Sequence, residues 1–300
     1  MNWFIEIKLV VSVAKDGDNF RWRCYNTVRI SKKAPKKCNY SRSLTSGTFF
    51  SSHLSIVDIC KFLVLWVQNA SLLVIKNETE ITAQKTLVDW SSMSREVLFD
   101  AFILNAKPLG GIGRTIEIDE SKFGRRKYNR GKRVEGQWIF GLLERETGDI
   151  ILVPVEKRDR DTLIPIIQKY VLPGSTIISD FWKSYDTLND LGYQHLKVNH
   201  SITFKDPETG ANTNRIESTW RAAKASYSSS GRRKSFYASY LAKYIFMKKC
   251  RSLELDPFLE FLRLAGKLYD ATNYFDTPLE PAVDESDDDD DDETEELQIY

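Results

Sequence analysis

The sequence predicts an α/β protein, and three observations carry that prediction. β-branched runs end in carboxylates at two places, Thr115-Ile-Glu-Ile-Asp119 and Thr176-Ile-Ile-Ser-Asp180. Amphipathic helical stretches lie before, between and after them. Residues 107–113 (KPLGGIG), with a proline and three glycines that cannot continue a helix, separate a helical first part from a strand-rich second part.

Three hundred residues at 42% apolar can bury a sizeable core, and the length favours about two domains. The net charge of +1 hides an asymmetry. Residues 284–296 (DESDDDDDDETEE) hold 11 of the 42 acidic residues, which leaves 31 acidic against 43 basic, a body of net charge +12. Such a body attracts polyanions, because each Lys or Arg that neutralises a phosphate releases a counterion; the bland alternative is solubility alone. Four cysteines, Cys24, Cys38, Cys60 and Cys250, are too few and too scattered for a disulfide framework, which implies a reducing compartment. Glu6 and Lys8 interrupt the apolar stretch near the N-terminus, so a signal peptide is not expected. Residues 56–75 carry Asp58, Lys61, Gln68 and Asn69. A bilayer centre penalises each charge by about 2 to 3 kcal/mol, so this run reads as buried helix and no membrane is expected as a partner.

In chain order, residues 1–50 mix short strand-like runs with basic clusters and read as a small module. Cys24 and Cys38 could be half of a zinc site, but a closed site needs four ligands. From residue 51 to 106 the pattern is helical: Leu54, Val57, Ile59, Phe62, Leu63 and Trp66 form one stripe, residues 71–75 are a candidate continuation of it, and residues 79–98 contain a further helix. Residues 79–90 (TEITAQKTLVDW) resemble the turn and second helix of a helix-turn-helix, with Thr82 as N-cap and Trp90 facing the core; an ordinary helical hairpin is the alternative. From residue 110 to 265 a second domain is expected. Residues 115–119, 137–144 and 150–155 read as strands, the last two joined at Glu146-Thr-Gly-Asp149. Residues 161–171 read as a helix, 176–179 as a buried strand in parallel pairing, and 182–191 as another helix. This is the element order of the ribonuclease H-like fold, shared at its start with many α/β domains.

The chemistry concentrates on four residues. The strand period of two puts Ile116 and Ile118 on one face, Glu117 and Asp119 on the other, with Asp119 leaving the core at the strand's end. Asp180 directly follows a buried strand, where open α/β sheets place their sites. Glu217, Trp220 and Lys224 stand at i, i+3 and i+7 on one helical face. The intervals between the acids are 61 and 37 residues. Carboxylates on rigid elements are what phosphodiester chemistry needs, since hard divalent cations take oxygen ligands. Taken singly, each aspartate reads equally as a turn or cap residue, and Glu217 with Lys224 as a solvated face.

The blocks I-D-E-S-K-F, V-E-G-Q-W, I-S-D-x-W-K-x-Y and N-H-S…T-N-x-I-E-S-x-W-x-x-x-K follow in one order over roughly residues 110–250. They resemble the transposase domain shared by bacterial insertion sequences (ISXO2-like) and the eukaryotic Merlin DNA transposons. The resemblance implies a ribonuclease H-like core and a DDE-type transposase that cleaves DNA and transfers the freed 3′-hydroxyl to target DNA. It places the acidic, metal-binding triad on Asp119, Asp180 and Glu217 and a phosphate-positioning lysine on Lys224, with Asn214 the alternative third ligand. It implies Mg²⁺ or Mn²⁺, two ions, as cofactor, double-stranded DNA (transposon ends and target) and further copies of the chain as partners, and a nuclear location. The N-terminal half is similar to a zinc-ribbon and helix-turn-helix region through F-R-W-R-C, G-T-F-F-S-S-H-L and V-D-W. The cysteine pair expected upstream of Trp22 is absent, so the module is degenerate and an intact zinc site is not expected. A domesticated DNA-binding or chromatin protein without cleavage activity is the alternative function.

Residues 122–133 (KFGRRKYNRGKR) pack seven basic residues: Lys122, Arg125, Arg126, Lys127, Arg130, Lys132 and Arg133. A flexible basic loop beside the first aspartate could grip a phosphate backbone, or serve as a nuclear-import signal or solvated hairpin. Arg232 and Arg233 form a second basic patch, and His200 could orient DNA or a carboxylate. Residues 272–300 are expected to be a disordered acidic tail, because residues 287–292 are consecutive aspartates that repel one another and bury nothing.

Overall fold

The computed structural model describes residues 7–11, 20–24, 27–28, 36–37, 40–124, 136–198, 212–226 and 234–269. Arg125, Arg126, Lys127, Arg130, Lys132, Arg133, Arg232, Arg233, His200, Cys38 and the acidic tail lie outside the described residues. Five short strands come first: β1 (Ile7–Val11), β2 (Phe20–Cys24), β3 (Thr27–Val28), β4 (Lys36–Lys37) and β5 (Ser41–Ser43), with β1, β2 and β5 in one antiparallel sheet and β3 against β4.

Three helices follow, α1 (Ile56–Val67), α2 (Leu72–Glu78) and α3 (Gln84–Asn105). Ser55 caps α1 by accepting from the Asp58 N–H at 3.0 Å, and Ser71 opens a separate α2, so residues 71–75 do not extend α1. Trp90 is buried as expected, but the N-cap of α3 is Ala83 rather than Thr82, with no side-chain cap bond. Helix α3 instead gains its stability by packing: Leu87, Trp90, Val97 and Leu98 face a core that also holds Phe62, Leu63 and Trp66 of α1. No helix among the described residues is long and apolar enough to cross a membrane.

The segment 107–113 is less of a free linker than its glycines suggest. Leu109–Gly110 forms a short strand, β6, and the Gly110 N–H donates to the Glu144 carboxylate at 2.8 Å. Beyond it lie β7 (Thr115–Phe123), β8 (Gln137–Glu144), β9 (Ile150–Val155), α4 (Arg160–Tyr170), β10 (Val171–Leu172, paired with β6), β11 (Thr176–Asp180) and β12 (Gln194–Val198), then α5 (Asn214–Ala225), α6 (Tyr237–Ser252) and α7 (Pro257–Leu268). The main sheet has the order β12-β11-β7-β8-β9. β7, β8 and β9 form an antiparallel meander, β11 runs parallel to β7, and β12 parallel to β11. β8 is almost entirely buried, as befits the middle of a sheet covered on both faces. On one face Ile116, Ile118, Phe140 and Ile177 meet Leu163 and Ile167 of α4; on the other Ile139, Leu143 and Leu152 meet Ile216, Trp220 and Ala223 of α5 and Leu241 of α6.

Two expectations are corrected by this arrangement. β7 runs through Asp119 to Phe123, because β8 stays paired with it as far as Phe123↔Gln137; Asp119 is mid-strand. Residues 182–191 form no α-helix but two 3-10 turns, at Lys183–Tyr185 and Asn189–Leu191, and a fifth strand, β12, follows. The apolar residues Tyr185, Leu188 and Leu191 recur every third residue, the 3-10 period, and Gly192 at φ +84° turns the chain into β12. Helix α6 bridges two cores: Leu241 packs on the sheet, while Ala242, Phe246 and Cys250, with Phe261 and Ala265 of α7, join the core of α1–α3, so the chain returns to its first helical layer after completing the sheet. Cys24, Cys60 and Cys250 are free thiols.

Candidate functional site

The face of the sheet beneath α5 gathers the sequence-predicted acids. Side chains of β7 on this face recur every second residue, about 6.6 Å apart, and one line along a helix recurs every four residues, about 6 Å apart. The two rulers nearly coincide, and α5 is read against β7 in step. The Glu117 carboxylate accepts from the Ile216 N–H at 2.9 Å, Asp119 Oδ2 accepts from Trp220 Nε1 at 2.8 Å, and Ser121 Oγ accepts from Lys224 Nζ at 2.7 Å. Glu117 is fully buried and also accepts from Arg145 Nε at 2.6 Å, so its charge is paired. It satisfies an orphan amide in the first turn of α5 and fixes where that helix starts.

Gly141 faces Asp119 across the ladder. A Cβ there would stand 2.5 Å from Trp220 Cη2, so the missing side chain is what lets the indole lie against the sheet and reach Asp119. β11 pairs with β7 from Thr176↔Thr115 to Ile178↔Glu117, and the strand period of two carries Asp119 and Asp180, each two residues beyond the last pair, to the same face. Burial pushes the Asp119 carboxyl up to about 6; the Trp220 and backbone hydrogen bonds oppose that, and the charges of Asp180 and Glu217 add to it. Those last two effects place Asp180 and Glu217 each within electrostatic reach of Asp119. Glu217 itself is exposed, with Thr213 Oγ1 3.3 Å from its Oε1. Asn214, the first residue of α5, is exposed and accepts from Ser218 Oγ through its backbone carbonyl at 2.8 Å. Burial lowers the Lys224 ammonium from its ordinary value while Asp119 raises it, and its Nζ lies 5.2 Å over the Phe123 ring.

Sequence reading passed over the neighbour of Asp119. The alternation that points Asp119 toward α5 points Glu120 to the opposite face, among Ile116 and Ile118. Its carboxylate accepts from the Tyr185 hydroxyl and stands 4.0 Å from Arg158. Burial, then Asp119 and Asp180, push it up to about 8, with Arg158 opposing. A carboxylate on the core side of a strand requires partners, and that requirement was the available signal. Lys122, also on this side, is exposed and lies 5.5 Å over the Trp138 ring.

Three carboxylates on strand and helix suit a hard divalent cation by donor chemistry, and the Asp119 carboxyl, raised by burial first and by like charges after it, is one that a cation would relieve. Among the described residues, no three His, Cys, Asp or Glu side chains are gathered tightly enough to hold an ion.

Residues 108–251 match the ISXO2-like transposase domain. That domain spans the whole main sheet, α4, α5 and most of α6. A Haemophilus influenzae protein described as an uncharacterized transposase-like protein is 36% identical over 63 residues, 21% of this chain and 50% of the relative; the chain thus spans about half the length of the curated relative it matches. Among solved structures, the catalytic core of BIV integrase is similar at 15% identity, over 52% of this chain and 97% of the integrase chain, with a TM-score of 0.33. The HTLV-2 integrase catalytic core, solved with magnesium, is similar at 11% identity over 53% and 85% of the respective chains, with a TM-score of 0.27.

Proposed function

We propose that the chain is a DNA transposase that cleaves a DNA strand in a divalent-metal-dependent step and transfers the freed 3′-hydroxyl to target DNA. What supports this reading is that Asp180 and Glu217 both act electrostatically on Asp119, within residues that match a transposase domain. Asp119 and Asp180 would hold Mg²⁺ or Mn²⁺ from neighbouring parallel strands, and Glu217 would complete the oxygen shell from α5. Bound there, such ions supply an activated attacking oxygen and stabilisation of the leaving oxygen. Trp220 holds the Asp119 carboxylate in one rotamer, and Glu117 with Arg145 sets the start of α5 and with it the place of Glu217. Lys224, four residues beyond the Asp119-bonded indole, donates to Ser121 and is placed to donate to a phosphate oxygen in its stead. Double-stranded DNA is the substrate, and further copies of the chain complete the DNA complex.

The full-length protein, incubated with supercoiled DNA and Mg²⁺ or Mn²⁺, should nick it. Asp119→Asn and Asp180→Asn should each remove nicking while leaving DNA affinity unchanged or higher; a variant that nicks at the wild-type rate overturns the assignment. A non-cleaving DNA-binding role is the second reading, favoured by the lack, among the described residues, of three acids close enough to share an ion. It predicts metal-independent binding and no nicking by any form of the protein.

A further inference from the structure

Two large aromatic side chains stand exposed directly after Asp180: Phe181 at 68% and Trp182 at 40%. A main-chain bond from the Trp182 N–H to the Asp180 carbonyl, at 2.9 Å, closes a tight turn whose apex is Phe181. Trp182 is fixed by its Nε1 donating to Ser184 Oγ at 2.7 Å, and its ring lies 5.3 Å from the guanidinium of Arg158. That guanidinium in turn lies 3.7 Å over the Trp138 ring and 4.0 Å from Glu120, which keeps it in place. Lys197 Nζ stands 5.3 Å over the Phe181 ring. The result is a preorganised wall of alternating rings and cations whose outermost rings are left to solvent.

A fold that buries Tyr185 and Leu188 completely a few residues later keeps these two rings out. Exposed aromatic surface next to a charged site marks recognition of something with an apolar face and a negative charge. Nucleobases carry both, a π-face and a phosphate link. Two residues of chain separate Trp182 from Asp180, a reach of at most about 7 Å, so a base stacked there belongs to a nucleotide at or next to the phosphate that a metal ion on the carboxylates would hold.

We propose that Phe181 and Trp182, backed by Arg158, form a stacking subsite for one unpaired nucleobase of the DNA strand bound at the acidic site. The inference rests on the DNA-strand reading above and deepens it: the strand enters with a base drawn out of the helical stack. Stacking on an aromatic side chain tolerates any base, so the subsite orients the strand without reading its sequence.

The test titrates full-length protein, by fluorescence anisotropy in Ca²⁺, with a single-stranded oligothymidylate and with an abasic oligomer of the same length and charge. The wild type should prefer the oligothymidylate by about 5- to 150-fold. Trp182→Ala and Phe181→Ala should each cut that preference severalfold while leaving affinity for the abasic oligomer unchanged, and Trp182→Phe, which keeps a ring, should retain it. A wild type without preference, alanine variants with undiminished preference, or equal losses on both oligomers overturn the subsite. Nicking of supercoiled DNA by the wild type in Mg²⁺, run alongside, separates the two claims. Nicking without base preference sinks the subsite alone, whereas base preference without nicking sinks the cleavage reading alone.

Discussion

Gly141→Ala is the sharpest probe of how this site is built. The new Cβ would lie 2.5 Å and 2.7 Å from Trp220 Cη2 and Cζ2 and 3.0 Å from Ile216 Cδ1, where carbon atoms normally rest at about 3.5 to 4 Å. The indole must retreat by about 1 Å. It has little room, being 5% exposed, packed edge-on to Phe123 and bonded to Asp119. Overpacking of this kind costs about 1 to 3 kcal/mol. The stiffer unfolded chain of alanine offsets about 0.4 to 1 kcal/mol, for a net loss of about 1 to 2 kcal/mol. In calorimetry that loss should lower Tm by about 2 to 8 °C for a domain of this size.

The decisive measurement is a double-mutant cycle. Trp220→Phe removes the two worst collisions and leaves only the 3.0 Å approach to Ile216 Cδ1, so Gly141→Ala should cost much less in that background, giving a coupling of about 1 kcal/mol or more. Gly141→Ala alone should also reduce metal-dependent nicking, since the bond that orients Asp119 is pushed aside. Additive effects, or an unaltered Tm in Gly141→Ala, would refute the claim that this glycine exists to admit the indole.

Other consequences can be measured directly. The Asp119 carboxyl is raised to about 6 in the fold, so the native state binds its proton more tightly than the unfolded chain does, and metal-free stability should fall as pH rises from about 4 to about 6. Asp119→Asn should remove that decline and be more stable than wild type at pH 7 by on the order of 1 to 3 kcal/mol, leaving the window up to about 8 that belongs to Glu120. Adding Mg²⁺ should raise the Tm of wild type and not of Asp119→Asn; an equal rise in both would remove Asp119 from the metal site. Glu117→Ala leaves Arg145 and the Ile216 N–H without their acceptor and should cost about 2 to 4 kcal/mol in urea unfolding. For the third acid, Glu217→Gln should abolish nicking and Asn214→Ala should only reduce it, and the reverse ranking would move the site toward the start of α5.

What was legible in the sequence was whatever rests on a local period. The alternation in 115–119 put Ile116 and Ile118 on a common face, and both are fully buried there; the three meander strands and α4 were bounded to within a few residues. The extension of β7 past Asp119 was not legible, because Glu-Ser-Lys-Phe has no β-branched residue, and the strand persists through its pairing with β8. β12 was hidden for a similar reason. Gln194, His195 and Lys197 look like loop, yet His195 is buried, with its Nε2 2.8 Å from Ser179 Oγ of β11. The return of α6 and α7 to the first helices is a contact across about half the chain, and nothing in a short window records which of two apolar surfaces a helix will meet.

The carboxylates are legible as candidates, but their assembly depends on a residue with no chemistry of its own. Glu117 sits two places before Asp119, so it shares Asp119's face and lies one strand step back. Helix α5 advances about one turn for each such step, so whatever pins Ile216 to Glu117 also delivers Trp220 to Asp119 and Lys224 to Ser121. Glu217, next along from Ile216, is carried to its place by the same contact. A shift of α5 by a single residue would rotate its contact line by about 100° and break all three bonds together. The buried Glu117–Arg145 pair therefore acts as a register lock. This explains why an ion pair occupies a position where an apolar residue would otherwise pack, since an apolar side chain could not hold the helix to one register.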